Sequence, residues 1–291
     1  MIDLEHYRRF FAEEIEAVAK LQTPGLVEAL ATVPREQFLR PGPWTVLADN
    51  DFMPGAASRT RATADADPRR VYHNIVVAID PARQLFNGQP STLTAWIDAL
   101  GLGPGARVLH VGSGLGYYTA ILAHAAGSSG RVLAYEVDET LATEARQNLA
   151  FMPWVEVRHG DASQSTAETF DAILVNAGVT HPLDVWLDAL APRGRIVLPL
   201  TGTMPAMGSH IGKGLVWLLK KEDAGDFAAR VIGMAAIYSA LGVRDDGLND
   251  KLGRAMMTGP AQWHAVTRLR RDQHEPSPSC WFHVPSCCLS S

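Results

Sequence analysis

Apolar positions at Leu4, Tyr7, Phe11, Ile15 and Val18 recur at helical spacing, which predicts a helix over residues 3–20. Thr23 and Pro24 read as the cap and first residue of a second helix that stops near Pro34. Residues 41–70 are rich in Pro, Gly, Ala, Asp and Arg and show no period, which predicts a long surface excursion. NIVVAID (74–80) reads as a strand, and PSTLTAWIDALGL (90–102) as a helix capped by Ser91 or the residues around it. From about residue 105 the pattern alternates. Strands are predicted at ARVLHVG (106–112), RVLAYEVD (131–138), VEVRHGD (155–161), FDAILVNAG (170–178) and GRIVLPL (194–200). Helices separate them: one runs to about Ala126, one is ETLATEARQNLA (139–150) and one is PLDVWLDALA (182–191). Such alternation implies a parallel sheet with right-handed crossovers. LVWLLKKE (215–222) and FAARVIGMAAIY (227–238) read as an antiparallel edge pair, and helical signal returns at 247–257. No internal repeat is visible.

The 291 residues allow one large domain or two small ones, and 47% hydrophobic content is enough for a core. A net charge of −5 argues against nucleic acid as the main partner. No apolar stretch reaches the length of a membrane span, and MIDLEHYRRF does not resemble a signal peptide. The expectation is a soluble, cytoplasmic protein with neither nucleic acid nor membrane as partner.

The stretch with the most chemistry is VLHVGSGLGYYTAILA (108–123), where a buried strand meets Gly112, Gly114 and Gly116 and turns into a helix. In an open parallel sheet, ligands bind at the carboxyl ends of the strands. Here those ends carry the glycines with Ser113, then Glu136 and Val137, then Asp161 and Ala162, then Asn176. Glu136 is placed to accept hydrogen bonds from a ribose diol. Asp161 could take an adenine amino group or cap the turn that follows it. A nicotinamide fingerprint needs a third glycine where this chain has Tyr117, and a P-loop needs a Gly-Lys-Ser or Gly-Lys-Thr that is absent. The ligand that fits is an adenosine with an amino-acid tail and no phosphate, S-adenosyl-L-methionine. His110, at the strand end, is either a satisfied buried histidine or a holder of that tail.

Residues 105–200 resemble a class I S-adenosylmethionine-dependent methyltransferase, and within that group the protein-L-isoaspartate O-methyltransferases. The resemblance is carried by LVEALATVPREQFL (26–39), VYHN (71–74), NGQPSTLTAWIDALGLGPGARVLHVGSGLGYYTAILA (87–123) and TFDAILVNAGVTHPLDVWLDALAPRGRIVLPL (169–200). It implies a Rossmann-like, doubly wound, mostly parallel seven-stranded α/β sheet with an N-terminal helical cap and a C-terminal extension. The expected organisation is 1–90 for N-terminal helices and substrate-side loop, 91–220 for the cofactor-binding core, and 221–291 for last strands, helix and tail. Implied cofactor residues are His110, Gly112, Ser113, Gly114, Gly116, Tyr117, Glu136, Val137, Asp161, Ala162 and Asn176. The methyl donor would be S-adenosyl-L-methionine, leaving S-adenosyl-L-homocysteine.

The family's substrate loop reads Thr-Ile-Ser-Gln-Pro, and its serine contacts the isoaspartyl carboxylate. The matching residues here are Phe86-Asn87-Gly88-Gln89-Pro90, with Gly88 in the serine's place. Asn87, Gly88, Gln89 and Ser91 are the expected acceptor-positioning residues. Amide donors can orient a carboxylate without neutralising it, and Gly88 would let a backbone N–H approach closely. A carboxylate acceptor is ionised at neutral pH and needs no general base. His181 is a candidate base only if the acceptor is a hydroxyl or amine, and Trp44, Tyr72 and Trp281 are candidates to cover the site.

The expected partner is a peptide, protein or small-molecule carboxylate. Open alternatives are a small-molecule O- or N-methyltransferase, a cofactor-binding module without catalysis, and a nicotinamide oxidoreductase. The three cysteines, Cys280, Cys287 and Cys288, all lie in the tail, with His274 and His283 nearby. A zinc site from Cys and His ligands is conceivable, but their spacing matches no zinc module and adjacent Cys287 and Cys288 are awkward as paired ligands. No metal is expected, and the tail is expected to fold back on Trp281 and Phe282.

Overall fold

The computed structural model describes residues 3–47, 60–164, 168–203, 210–223 and 225–291. Helix α1 (Leu4–Ala19) starts at Asp3, whose carboxylate accepts from the N–H groups of Glu5 and His6, and it buries Phe11, Ala12 and Ile15. Helix α2 (Pro24–Thr32) follows the prediction, but the Thr23 side chain caps nothing. Asp98 does that work instead, accepting from the N–H groups of Gln22 and Thr23 at 3.0 Å each.

Strands β1 (Thr45–Leu47), β2 (Arg61–Ala62), β3 (Val76–Asp80) and β4 (Leu85–Phe86) precede helix α3 (Pro90–Leu100). Part of the predicted 41–70 excursion is therefore strand: the four form an antiparallel sheet in the order β2-β1-β3-β4. Residues 48–59 of that segment lie outside the described residues. Segments of two or three residues carry no detectable period; their pairing partners define them.

The alternating region follows the predicted order, but the helix expected at 182–191 is only Asp184–Asp188, and the strand after it begins at Leu190 rather than 194. It runs β5 (Arg107–Val111), α4 (Tyr117–Ala126), β6 (Arg131–Glu136), α5 (Glu139–Asn148), β7 (Val155–His159), β8 (Phe170–Val175), α6 (Asp184–Asp188) and β9 (Leu190–Thr203). Two long strands, β10 (Ile211–Lys221) and β11 (Phe227–Tyr238), come next, then helices α7 (Asp246–Met256) and α8 (Pro260–Ala265). The tail folds back as β12 (Arg268–Arg270), β13 (Cys280–His283) and β14 (Cys288–Ser290). No helix among the described residues is long and apolar enough to cross a membrane.

The chain divides into two compact units, Met1–Ala106 with Ser113–Gly160, and Arg107–Gly112 with Asp161–Ser291. In the second, strands run in the order β13-β14-β12-β11-β10-β9-β8-β5. The β5/β8 and β8/β9 pairs are parallel; β9 through β14 then pair antiparallel. This unit alone exceeds the seven strands expected for the whole sheet, because the tail adds three. Trp217 and Phe282 are buried in it, while Trp281 donates its indole N–H to Ala255 O at 3.1 Å.

In the first unit β6 and β7 are a parallel pair. Its organising residue is Arg35, fully buried. The guanidinium donates to the carbonyls of Val71 at 2.6 Å, His73 at 3.0 Å and Ile75 at 2.7 Å. Its Cζ lies over the Phe11 ring, 5.6 Å from the centre, and over that of Tyr117 at 5.8 Å. Next to it Glu36 accepts from Arg8 at 2.6 Å and from the Tyr72 hydroxyl. Each unpaired buried carbonyl costs roughly 1–3 kcal/mol, so Arg35→Met is expected to lower stability by about 3–5 kcal/mol. Denaturant unfolding checks this; a loss under about 1 kcal/mol, the scale of a surface change, would contradict it.

Candidate active site

Strand β5 buries Val108, Leu109 and His110, and it is followed by Gly112 with φ +81°. A Cβ there would sit 3.1 Å from Asn176 O, so both the backbone angle and the space require glycine. Asn176 follows β8, the parallel neighbour of β5. Its N–H donates to Val111 O at 2.8 Å and its Nδ2 to Gly112 O at 3.3 Å. The strand ends carrying Gly112 and Asn176 are thus locked together. His110, one turn of the pleat back, is fully buried, and burial pushes its imidazole pKa down to about 3. It is neutral at physiological pH, so it can offer a hydrogen bond but no charge.

In the other unit the turn continues through Ser113, Gly114 and Gly116. Ser113 N–H donates to Tyr135 O at 3.1 Å, and Gly114 N–H donates to Glu136 Oε2 at 2.8 Å. Glu136 Oε1 accepts from Asp138 N–H at 3.1 Å. The carboxylate, 8% exposed, is therefore oriented by one backbone donor on each oxygen. A carboxylate has about four acceptor positions, which leaves capacity for two further donors such as vicinal hydroxyls. Val137 beside it is 45% exposed, an apolar surface next to that carboxylate. Gly116 (φ +96°) is the N-cap of α4, and no side chain caps that helix. Its leading N–H groups carry the partial positive charge of a helix start.

Two expected cofactor residues also have structural contacts. The Tyr117 ring is buried, 5.8 Å from Phe38 and 5.1 Å from Tyr118 in edge contacts, so it belongs to the core beside Arg35. Asp161 takes the turn-capping alternative. It accepts from Ser163 N–H at 2.8 Å, Ser163 Oγ at 2.6 Å and Gln164 Nε2 at 3.5 Å. Partial burial works against its charge, but the bonds from Ser163 and Gln164 outweigh that and hold its pKa below the usual carboxylate range. Ala162 is buried, and its carbonyl accepts from Trp186 Nε1 at 2.9 Å.

Of the residues expected on the acceptor side, Asn87, Gly88 and Gln89 form the loop between β4 and α3, and Ser91 lies in the first turn of α3. Asn87 mimics a strand residue: its N–H donates to Val77 O at 3.0 Å, and its Oδ1 accepts from Val77 N–H at 2.9 Å. Its Nδ2 is buried with no hydrogen-bond partner. Gly88 has φ +80°, and its carbonyl accepts from the Tyr118 hydroxyl at 3.0 Å. Gln89, not Ser91, is the N-cap of α3, and Pro90 is its first residue. Asn74 serves as a remote cap, its Oδ1 accepting from Ser91 N–H at 3.0 Å while its carbonyl accepts from Gln89 Nε2 at 3.4 Å. Asn74 and Arg35 escape sequence reasoning as site residues because their roles depend on contacts distant in the chain. Their only signal is their place in VYHN and VPREQF.

The residues expected to cover the site are mostly structural. Trp44 is buried and donates to Arg40 O at 2.8 Å, Tyr72 joins the Arg8–Glu36 network, and Trp281 lies 5.2 Å from Trp217. His181 pairs through Nδ1 with Thr180 Oγ1 at 3.0 Å, and burial lowers its pKa. It lines an open cavity of about 340 Å³ together with Ser163, Asp184, Val243 and Ser286.

Parallel strands, a glycine turn after one of them and an acid at the end of another are the layout of an adenosine-binding α/β fold, and the family that matches makes the chain an S-adenosylmethionine-dependent methyltransferase. A family model described as protein-L-isoaspartate(D-aspartate) O-methyltransferase matches residues 56–213. The chain belongs to that family. A protein-L-isoaspartate O-methyltransferase of Polaromonas sp. (strain JS666) is 35% identical over 62% of this chain and 82% of its own. One from Methanopyrus kandleri is 25% identical over 81% of this chain and 91% of its own. A Plasmodium falciparum protein solved in complex with S-adenosyl-L-homocysteine shares the fold, with a TM-score of 0.58 and 16% identity over 80% of this chain and 97% of its own. The oxidoreductase alternative is not favoured by these matches.

A Cβ at Gly88 would meet Leu93 Cδ2 at 2.9 Å, and φ +80° is strained for any side chain. Gly88→Ser, although it restores the residue of the family's loop, is expected to cost about 1–3 kcal/mol of stability. Thermal unfolding checks it, and a variant as stable as the parent would contradict it.

Proposed function

We propose that this chain transfers a methyl group from S-adenosyl-L-methionine to the free carboxylate of an isoaspartyl residue in a peptide or protein, forming a methyl ester. The observation that carries the reading is the family match over 56–213, a segment that includes the glycine turn, Glu136 and the 87–91 loop. When bound, the cofactor supplies a methyl group on a sulfonium, an excellent leaving group. Glu136 suits the ribose hydroxyls, since each of its oxygens is already oriented by one N–H and keeps room for another donor. Val137 offers an apolar face to the adenine ring. The glycines and the uncapped start of α4 suit the zwitterionic tail. Asp161 stays a candidate for the adenine amino group only through whatever capacity its turn leaves.

The acceptor needs no deprotonation, because a carboxylate of pKa about 4 is ionised at neutral pH. What the protein must do is align oxygen, methyl carbon and sulfur, and such positioning is worth roughly 7–11 kcal/mol. Asn87 fits that task. Its carbonyl is held by Val77, and its buried Nδ2 is a donor in need of an acceptor. In this reading an amide at 87 does the orienting that a serine does elsewhere in the family.

The test uses two synthetic peptides that differ only in an aspartyl or isoaspartyl linkage, with labelled methyl donor and mass spectrometry to locate the ester. Methylation of the isoaspartyl peptide alone is the expected result. Asn87→Ala is expected to raise KM for that peptide about tenfold, equivalent to about 1.4 kcal/mol. Equal labelling of both peptides, or of neither, would overturn the reading.

A further inference from the structure

The C-terminal tail brings together four side chains that the methyl-transfer reading does not use. The ligand-type atoms of His274, Cys280, His283 and Cys288 all lie within 4.8 Å of one another. We propose that they bind a structural Zn²⁺ ion that staples the end of the chain.

Local geometry makes the cluster. In a regular strand, residues 280 and 283 are an odd number apart and would face opposite sides. Strand β13 carries a bulge: Cys280 pairs with Ser290, Phe282 with Leu289, and His283 with Cys288. The extra residue turns Cys280 onto the face of His283, and the register sets Cys288 directly opposite His283. The loop 271–279 then returns His274 over the hairpin, its ring centre 4.8 Å from that of His283.

The distances and partners suit zinc. With Zn–S of about 2.3 Å and Zn–N of about 2.0–2.1 Å, a tetrahedral site has S···N edges of about 3.6 Å. Cys280 Sγ and His274 Nε2 are 3.5 Å apart. His274 Nδ1 lies 3.0 Å from the carbonyl of Asp272, which fixes the proton there and frees Nε2 for a metal. Cys280 Sγ accepts from Ser277 N–H at 3.3 Å, a bond that stabilises a thiolate. His283 Nδ1 is buried without a hydrogen-bond partner, an orphan that a metal bond or a shift toward one would relieve. Two thiolates and two neutral imidazoles cancel the charge of a divalent ion. This donor set selects zinc among common cations, and four protein ligands leave no open position for catalysis. Cys287 is buried and is not among the four.

The order of ligands, His-x5-Cys-x2-His-x4-Cys, alternates residue types and matches no common module. A tail with few apolar residues between 271 and 279 gains from such a staple, since zinc binding free energy is folding free energy.

The experiment is elemental analysis of the full chain, purified without a metal-affinity tag and exchanged into chelator-free buffer. One zinc per chain is expected in the parent and in Cys287→Ser, and its loss in Cys288→Ser and His274→Ala. Because the latter two could fail to fold, the parent is also loaded with Co²⁺. Intense visible ligand-field bands with thiolate charge transfer support a tetrahedral site. A metal-free parent, weak octahedral cobalt bands, or a Cys280–Cys288 disulfide in a non-reducing peptide map of freshly purified protein would each overturn the proposal.

Discussion

The Arg35 guanidinium, buried and bonded to three backbone carbonyls, is the constraint on which the acceptor side depends. It fixes residues 71–75, and that fixes Asn74 between two of its targets. Asn74 in turn holds Gln89 and Ser91 at the start of α3. A permanent charge with a rigid fork is suited to this, because one side chain can satisfy several carbonyls of an irregular segment that no strand could pair. The same residue stacks on Tyr117, so helix α4 and the acceptor loop share one support. Without it, the 87–91 segment would keep its bonds to Val77 and Tyr118 but lose the support that reaches it through Asn74.

On the cofactor side the equivalent device is Glu136. Its two oxygens draw Gly114 and Asp138 toward the end of β6, so the carboxylate shapes the turn that a ligand would touch. Preorganisation of this kind matters more than new chemistry in methyl transfer to a carboxylate, where the nucleophile is already charged. His110 follows the same logic: buried and neutral, it can be part of the wall but not a counter-charge.

Much of this is legible in the amino-acid sequence alone. Alternating apolar runs and helical periods locate the strands from 107 to 200 because those elements are long and locally specified. The glycine turn and Glu136 are legible for a similar reason, since φ and close approach leave few residue choices. What stays hidden depends on partners far along the chain. Strands 45–47 and 61–62 exist through pairing. Tyr117 follows the third glycine, and the packing of its ring against Phe38 and near Arg35 depends on residues about eighty positions away. Asp161 offers two readings, and the structure shows the turn-capping bonds from a serine two residues on that the spacing alone does not specify. The His and Cys residues of the tail are visible in the sequence, but their meeting is not, because a bulge rather than a module spacing aligns them.

The central claim is that the turn at Gly114 and the carboxylate of Glu136 together bind an adenosine with an amino-acid tail. Calorimetric titration of the purified chain with S-adenosyl-L-homocysteine, compared with the Glu136→Ala variant, tests it most directly. Saturable single-site binding by the parent, at least about tenfold weaker in the variant, is required, a loss of about 1.4 kcal/mol or more. No heat of binding in the parent, or equal affinity in the two proteins, would contradict it.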